Sequence, residues 1–518
     1  MFLQSFCETC SRARRGTLST APTSLKSLKV CRRIFTALPV PSRRKFATDT
    51  FRSGRLESLI NFQSLTTSLT GLDIANASLL DEGTAAAEAM IMAFGHLKSA
   101  KHTFFVDRGV LPQTVAVVQT RAAPFGIKVV VGNVEKMLAE GGDAEHQKDL
   151  IGVLLQYPAL RGDVADWKSV ADRTHALGGL VACATDFLAL TVLKPPGEWG
   201  ADIAVGNSAR MGCPMGGGGP SAAFFACTDV LKRRMPGRLI GLSKDAEGNP
   251  AYRLALQTRE QHIRRGSATS NICTAQALLA NITAMYAVYH GPEGVRQIAD
   301  KVHGLTRVVK GALEKLGHSV VNKTFFDTLT IRLSGTAARF VHEEAARNNI
   351  NLRKVDENHV GVSFDESNSL EDIVDLLNVF VAVNSSAAAR KKLTPFTRDS
   401  VIALATKLGV NAPAPTSASL GEISTGKNLP AIDSPSIPAH LSRTTPILTQ
   451  SVWNSYHSET DMLRYIHHLQ SKDLSLTHAI MHVALLLFAT VTDSSFLQSS
   501  RILHDEGKEN SFILSDSY

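Results

Sequence analysis

The 518-residue chain has no run of about 20 apolar residues, so no membrane-crossing helix is expected. Its late apolar run, Val483 to Ala489, is far too short. Acid is nearly missing from residues 1–47, where ten Lys or Arg accompany a single carboxylate, Glu8. The formal charge of +8 therefore sits in that leader, and the rest of the chain is close to neutral. A neutral body argues against a nucleic-acid-binding protein, which needs basic charge on its folded part. The seven cysteines are scattered. Cys7-Glu-Thr-Cys10 has neither a second pair nor a nearby histidine, so it is a weak zinc or redox signal. Cys31, Cys183, Cys213, Cys227 and Cys273 lie in or beside apolar runs, where a thiol packs as a small hydrophobe. His342-Glu343-Glu344-Ala345-Ala346-Arg347 lacks the second histidine of H-E-x-x-H, which removes a zinc site there.

What is present is organised around Gly178 to Ala226, GGLVACATDFLALTVLKPPGEWGADIAVGNSARMGCPMGGGGPSAAFFA. Leu180 to Ala184 suits a buried strand, and Asp186 sits at its end. A second run, Ala201 to Val205, leads to the turn Asn207-Ser208-Ala209-Arg210. Four glycines, Gly216, Gly217, Gly218 and Gly219, precede a third run, Ala222 to Cys227. A carboxylate at one strand end, a basic turn at the next and a glycine cluster beyond suggest a ligand pocket. In open α/β sheets such pockets lie at the carboxyl ends of the strands. Tight turns with no ligand are the plainer alternative.

The remaining chain supplies the frame. Ser53 to Gly71 has helical spacing. Asp81-Glu82-Gly83-Thr84 opens an Ala-rich helix to about Phe94, with Thr84 as its expected cap. Gly83 would let a phosphate approach that helix N-terminus, although Asp81 and Glu82 disfavour a second anion. Runs at Thr103–Val106, Lys128–Val131, Leu150–Leu155, Leu180–Ala184, Ile203–Val205 and Ala222–Cys227 read as strands. Helical stretches such as Pro112–Ala123 and Val164–Leu177 alternate with them, which predicts a mostly parallel, doubly wound sheet. Arg253–Gly294 reads as largely helical, with a solvated or subunit-facing basic cluster at Arg259, Arg264 and Arg265. Glu293–Leu316, Val320–Leu333, Val360–Phe364 and Ser369–Val383 read as a small α+β domain. Residues 385–450 are rich in Ser, Thr, Ala and Pro, as a linker is. The leader has the composition of a mitochondrial transit peptide.

Three long stretches resemble the amino-terminal half of the glycine cleavage system P proteins, internally duplicated glycine dehydrogenases (decarboxylating). They are SGRLESLINFQSLTTSLTGLDIANASLLDEGTAAAEAM from Ser53, the stretch from Gly178 quoted above, and TREQHIRRGSATSNICTAQALLANITAMYAVYHGPEGV from Thr258. The likeness runs from about Ser53 to Asn384 and resumes over Trp453–His478. It implies an α/β fold of the type I pyridoxal-phosphate transferase kind, with a mostly parallel sheet in a large domain and a small α+β carboxy-terminal domain. The expected division is transit peptide 1–47, large domain 48–295, small domain 296–395, linker 396–450, the start of a truncated second half 451–480, and an unrelated tail 481–518. Part of the family's amino-terminal domain is expected to be missing between the leader and Ser53.

The resemblance implies pyridoxal phosphate, a matrix location, and work with the lipoyl H protein and the T and L proteins. Such a cofactor needs a lysine for its imine, an acid at the ring nitrogen and a phosphate cradle. Aligned with the family's catalytic half, Arg210 stands where that lysine belongs, and a guanidinium stays protonated. Asp186 falls at the ring-nitrogen acid. Gly83, Thr84, Ser208 and Gly216–Gly219 are the degenerate cofactor-binding candidates. Lys194 and Lys232 do not sit at the expected turn, so surface roles are expected for both. Three functions follow: the glycine-decarboxylating P protein itself, a non-catalytic scaffold completing a site supplied by a lysine-bearing partner, or a truncated product without activity of its own. A homodimer or a partner second-half chain is the expected assembly.

Overall fold

The computed structural model describes residues 53–473, apart from 98–100, 246–247, 258–260, 269–275, 384–393 and 411–435. The expected leader, the middle of the linker, the tail beyond residue 480 and Arg259 lie outside the described residues.

The apolar runs between Thr103 and Cys227 become the body of one seven-stranded sheet. Its strands are β1 (Ile74–Ala75), β2 (Thr103–Asp107), β3 (Lys128–Gly132), β4 (Leu150–Tyr157), β5 (Leu180–Asp186), β6 (Ile203–Asn207) and β7 (Ala223–Cys227), in the order β1-β7-β6-β5-β4-β2-β3. Strands β2 to β6 pair in parallel. Their near-continuous apolar composition fits a sheet covered on both faces. The third expected run, β7, pairs antiparallel to β6 instead. A parallel neighbour needs a long crossover, usually a helix, whereas the link from Ser208 to Ala222 forms only turns.

Helices cover both faces. Helix α1 (Ser53–Thr70), helix α4 (Lys168–Ala176) and helix α5 (Ala277–Lys315) bury Leu65, Val170 and Ala284 on one side, together with Val153, Val181 and Cys183. Helices α2 (Glu82–Leu97) and α3 (Pro112–Ala122) bury Ala86, Met90 and Val118 on the other, against Ile151, Leu154 and Ala182. Helix α5 kinks at Gly291 (φ 64°, ψ −178°), immediately before Pro292. It runs on into a four-stranded antiparallel sheet, ordered β10-β11-β13-β12, made of β10 (Ser319–Val320), β11 (Thr328–Arg332), β12 (Arg353–Asp356) and β13 (His359–Ser363). Helices α6 (Ala338–Arg347) and α7 (Leu370–Val383) bury Val341, Ile373 and Phe380 in the same core.

Two stretches differ from expectation. Arg253, expected on a helix, lies in a hairpin of β8 (Leu239–Lys244) and β9 (Pro250–Ala255). Ile240, Tyr252 and Leu254 of that hairpin pack with Leu56 and Leu59 of α1, so strand alternation overrides helical composition. Within the expected linker, residues 398–407 form helix α8 (Arg398–Lys407), closed by a Thr397–Ser400 capping box. From Ser436 onward the chain returns along α1, burying Ile437, Leu441, Leu448 and Trp453. It ends in helix α9 (Glu459–Ser471), which crosses the start of α1. At that crossing the Gly54 amide donates to Asp473 at 3.0 Å, and a Cβ on Gly54 would stand 1.8 Å from the Leu469 carbonyl oxygen.

Candidate functional site

Because β2 to β6 are parallel, their carboxyl ends share one edge. Asp186 at the end of β5 is the register partner of Asn207 at the end of β6. Past Asn207 the chain turns tightly: the Asn207 side chain accepts from the Ala209 amide at 2.9 Å, and the Ser208 amide and hydroxyl both donate to the Ala222 carbonyl at 2.9 Å. This turn aims Arg210 across the edge. Its Nη1 donates to Asp327 Oδ2 at 2.5 Å and stands 3.6 Å from Asp186 Oδ2, while Nη2 reaches the Phe364 carbonyl at 3.4 Å. Asp327 and Phe364 belong to the small domain, where the Phe364 amide donates to the Asp327 carbonyl at 3.0 Å.

The electrostatics follow from burial and charge. Burial alone would depress the Arg210 guanidinium, but Asp186, Asp327 and Asp365 outweigh it and hold its pKa above the ordinary value. Burial raises Asp186, with Arg210 pulling it down and Asp327 pushing it up. Burial likewise raises Asp365 and Glu366 and lowers Lys301. The Tyr286 hydroxyl of α5 donates to Glu366 Oε2, and Lys301 Nζ donates to the Glu366 carbonyl at 2.9 Å. Directly after the arginine turn, a Cβ on Gly212 would meet the Tyr286 ring at 2.6 Å, so the turn lies flat on α5.

The N-terminus of α2 reaches the same edge, because Leu79 bridges to Ala223; burial raises the Glu82 carboxyl there, with Asp186 adding to the rise. Its cap differs from expectation. Asp81, not Thr84, is the N-cap: Asp81 Oδ1 accepts from the Thr84 amide at 2.8 Å, and Thr84 Oγ1 accepts from the Asp81 amide at 3.2 Å. A carboxylate outcompetes a hydroxyl at the positive end of a helix. Gly83 serves packing, since a Cβ there would touch Val117 of α3 at 3.2 Å. Gly216, Gly217, Gly218 and Gly219 have φ of 57°, 68°, 113° and 145°. That region favours glycine, and nothing lies within 4 Å of a Cβ on Gly217 or Gly218. The glycine turn therefore borders open space.

These residues do not fit pyridoxal phosphate held in the way the resemblance implies. Arg210 offers no amine for an imine, and it stands against the carboxylate that would face the ring nitrogen. The Thr84 amide and the Ser208 hydroxyl are already bonded, and Asp81 occupies the anion position of α2. Lys232 bonds Asp229 at the surface and lies away from the turn. Among the described residues no group of His, Cys, Asp and Glu could hold a metal, and no helix is long and apolar enough to cross a membrane. Cys183, Cys213 and Cys227 are buried, as expected of packing thiols.

The structure brings together Asp186, Arg210 and the start of α2. It adds Asp327, Asp365 and Glu366, which the sequence reading missed. Asp365-Glu366 follows a strand much as Asp186 ends one, the one local signal available. Asp327 stands 117 positions from Arg210 and had none.

Comparison with known proteins agrees with the fold. A family profile described as glycine cleavage system P-protein matches residues 50–380. Glycine dehydrogenase (decarboxylating) of Paraburkholderia xenovorans is 49% identical over 430 residues, covering 83% of this chain and 40% of that protein. The mitochondrial glycine dehydrogenase (decarboxylating) of Solanum tuberosum is 48% identical over 429 residues, 83% of this chain and 37% of that protein. The chain thus spans about two-fifths of the length of the curated relatives it matches. A crystal structure of glycine decarboxylase (P-protein) in inhibitor-bound form aligns at TM-score 0.63 and 30% identity, over 74% of this chain and 89% of that one. Ureidoglycine-glyoxylate aminotransferase of Bacillus subtilis, at TM-score 0.50 and 11% identity, shares the fold alone. The fold is that of the type I pyridoxal-phosphate-dependent enzymes, and the chain belongs to the glycine cleavage system P-protein family.

Proposed function

We propose that this chain is the lysine-less half of a mitochondrial P protein, a scaffold that completes a cofactor site carried by a second half. In this reading glycine is decarboxylated, and its aminomethyl group passes to the lipoyl arm of the H protein, only when a lysine-bearing half is present. The carrying observation is Arg210, paired with Asp186 and Asp327 where the family's imine lysine belongs. Pyridoxal phosphate then belongs to the partner, and Gly83, Thr84, Ser208 and Gly216–Gly219 are structural in this chain. The acid-poor leader supports import into the matrix, with the T and L proteins as co-workers.

A second observation supports the scaffold over an inactive fragment. The same edge of the sheet exposes Leu80 (48%), Met215 (48%) and Leu278 (42%), large apolar residues that a partner would cover.

Reconstitution tests the proposal. The purified chain is assayed for release of labelled CO2 from glycine with lipoylated H protein and pyridoxal phosphate. No release is expected from the chain alone, and release is expected after addition of a lysine-bearing second half. Release by the chain alone would contradict the scaffold reading, and failure with the second half would favour an inactive fragment.

A further inference from the structure

We propose that Arg210 is an interdomain latch that holds this half in a single closed arrangement. The inference goes beyond the scaffold reading and does not depend on which chain supplies the lysine. One guanidinium joins three elements: Asp186 at the end of β5, and Asp327 and the Phe364 carbonyl of the small domain. Its planar fork suits this task, because donors leave it in several fixed directions. Asp327 is also held from behind: its Oδ1 accepts from Thr328 Oγ1 at 2.9 Å, so the carboxylate cannot turn away to follow another cation.

A second seam lies beside the latch. The loop after β4 presses into the small domain, where a Cβ on Gly162 would stand 2.1 Å from the Thr328 carbonyl oxygen. Asn322 Nδ2 donates to the Arg161 carbonyl at 2.7 Å, and Thr324 Oγ1 both donates to the Val164 carbonyl at 2.8 Å and accepts from its amide at 3.3 Å. These bonds join buried groups, Asn322 and Val164 each being 2% exposed, and on this proposal they stay closed only while the contact at Asp327 is pinned. Arg210 is that pin. It follows the end of β6, two strands from β4, with side chains of Arg210 and Asp327 only 26% and 11% exposed. In water an ion pair is weak, but partial burial and a charge-assisted bond strengthen this one. A lysine at the same turn gathers its three donors on one nitrogen, so it does not span acceptors that Arg210 reaches with two separate nitrogens. Replacing lysine by arginine thus trades an amine for a fastening.

Amide hydrogen exchange on the full chain tests the latch in wild-type, Arg210→Ala and Arg210→Lys forms. Peptides containing the Val164 amide and residues 322–327 report the seam, whereas peptides within β4 report the large sheet. The seam is expected to exchange about tenfold faster in both variants, with β4 unchanged. Arg210→Lys keeps the charge and guards against a folding failure in the alanine form. Seam exchange at the wild-type rate in both variants, or acceleration spread equally over β4, would overturn the proposal.

Discussion

Outside the site, Arg443 is enclosed by backbone oxygens. Its Nη1 donates to the carbonyls of Leu69 (2.8 Å) and Leu190 (2.9 Å), Nη2 to Ser68 (2.6 Å) and Nε to Thr445 (3.1 Å). Burial pushes its pKa down to about 10, yet it stays charged at neutral pH. A cation is well placed there because Ser68 and Leu69 end α1, where carbonyls lack helical partners. Arg443→Ala is expected to cost about 3 kcal/mol in urea unfolding, since it orphans several carbonyls together. His303 makes a second residue-scale prediction. The Phe326 carbonyl can only accept, so Nδ1 carries the proton at 2.8 Å, and Nε2 accepts from the Ser436 hydroxyl at 3.0 Å. Burial pushes its pKa down to about 4. A depressed base stabilises the fold above its unfolded pKa of about 6.5 and loses that contribution as pH falls. Stability should therefore drop by up to about 1.4 kcal/mol per pH unit between about pH 6.5 and 4 on this account. In His303→Gln that part of the slope should vanish, as measured by unfolding at several pH values.

At the scale of elements, the meeting of α1 and α9 closes the chain on itself. The Asp473 carboxylate accepts from the first turn of α1 and lies 3.6 Å from Arg55. Gly54→Ala would drive a Cβ into the Leu469 backbone, and neither side can yield by a rotamer change. The helices must separate, so a loss of about 1–3 kcal/mol is expected in thermal unfolding. The strands and most helices of this architecture were legible in the sequence. Runs such as Leu150–Leu155 are apolar over their whole length, and the helices between them carry clear periodicity. The return of residues 436–450 along α1 was not. Its Ser, Thr and Pro composition reads as a linker, and only the distant carbonyls that receive Arg443 make it structure. The site was legible in part for the same reason. Asp186 and Arg210 lie 24 positions apart on adjacent strand ends, whereas Asp327 arrives from another domain.

At the scale of the molecule, two domains meet across the carboxyl edge of the large sheet, where relatives of this fold place their chemistry. Here that edge holds an arginine between two aspartates. The central claim is that the chain offers no amine to pyridoxal phosphate. The direct measurement is to incubate the purified chain with the cofactor, reduce with borohydride, and locate any pyridoxyl-lysine by mass spectrometry. The account predicts no lysine labelled stoichiometrically and no aldimine absorbance lost on reduction. Stoichiometric labelling of a single lysine in this chain would contradict it.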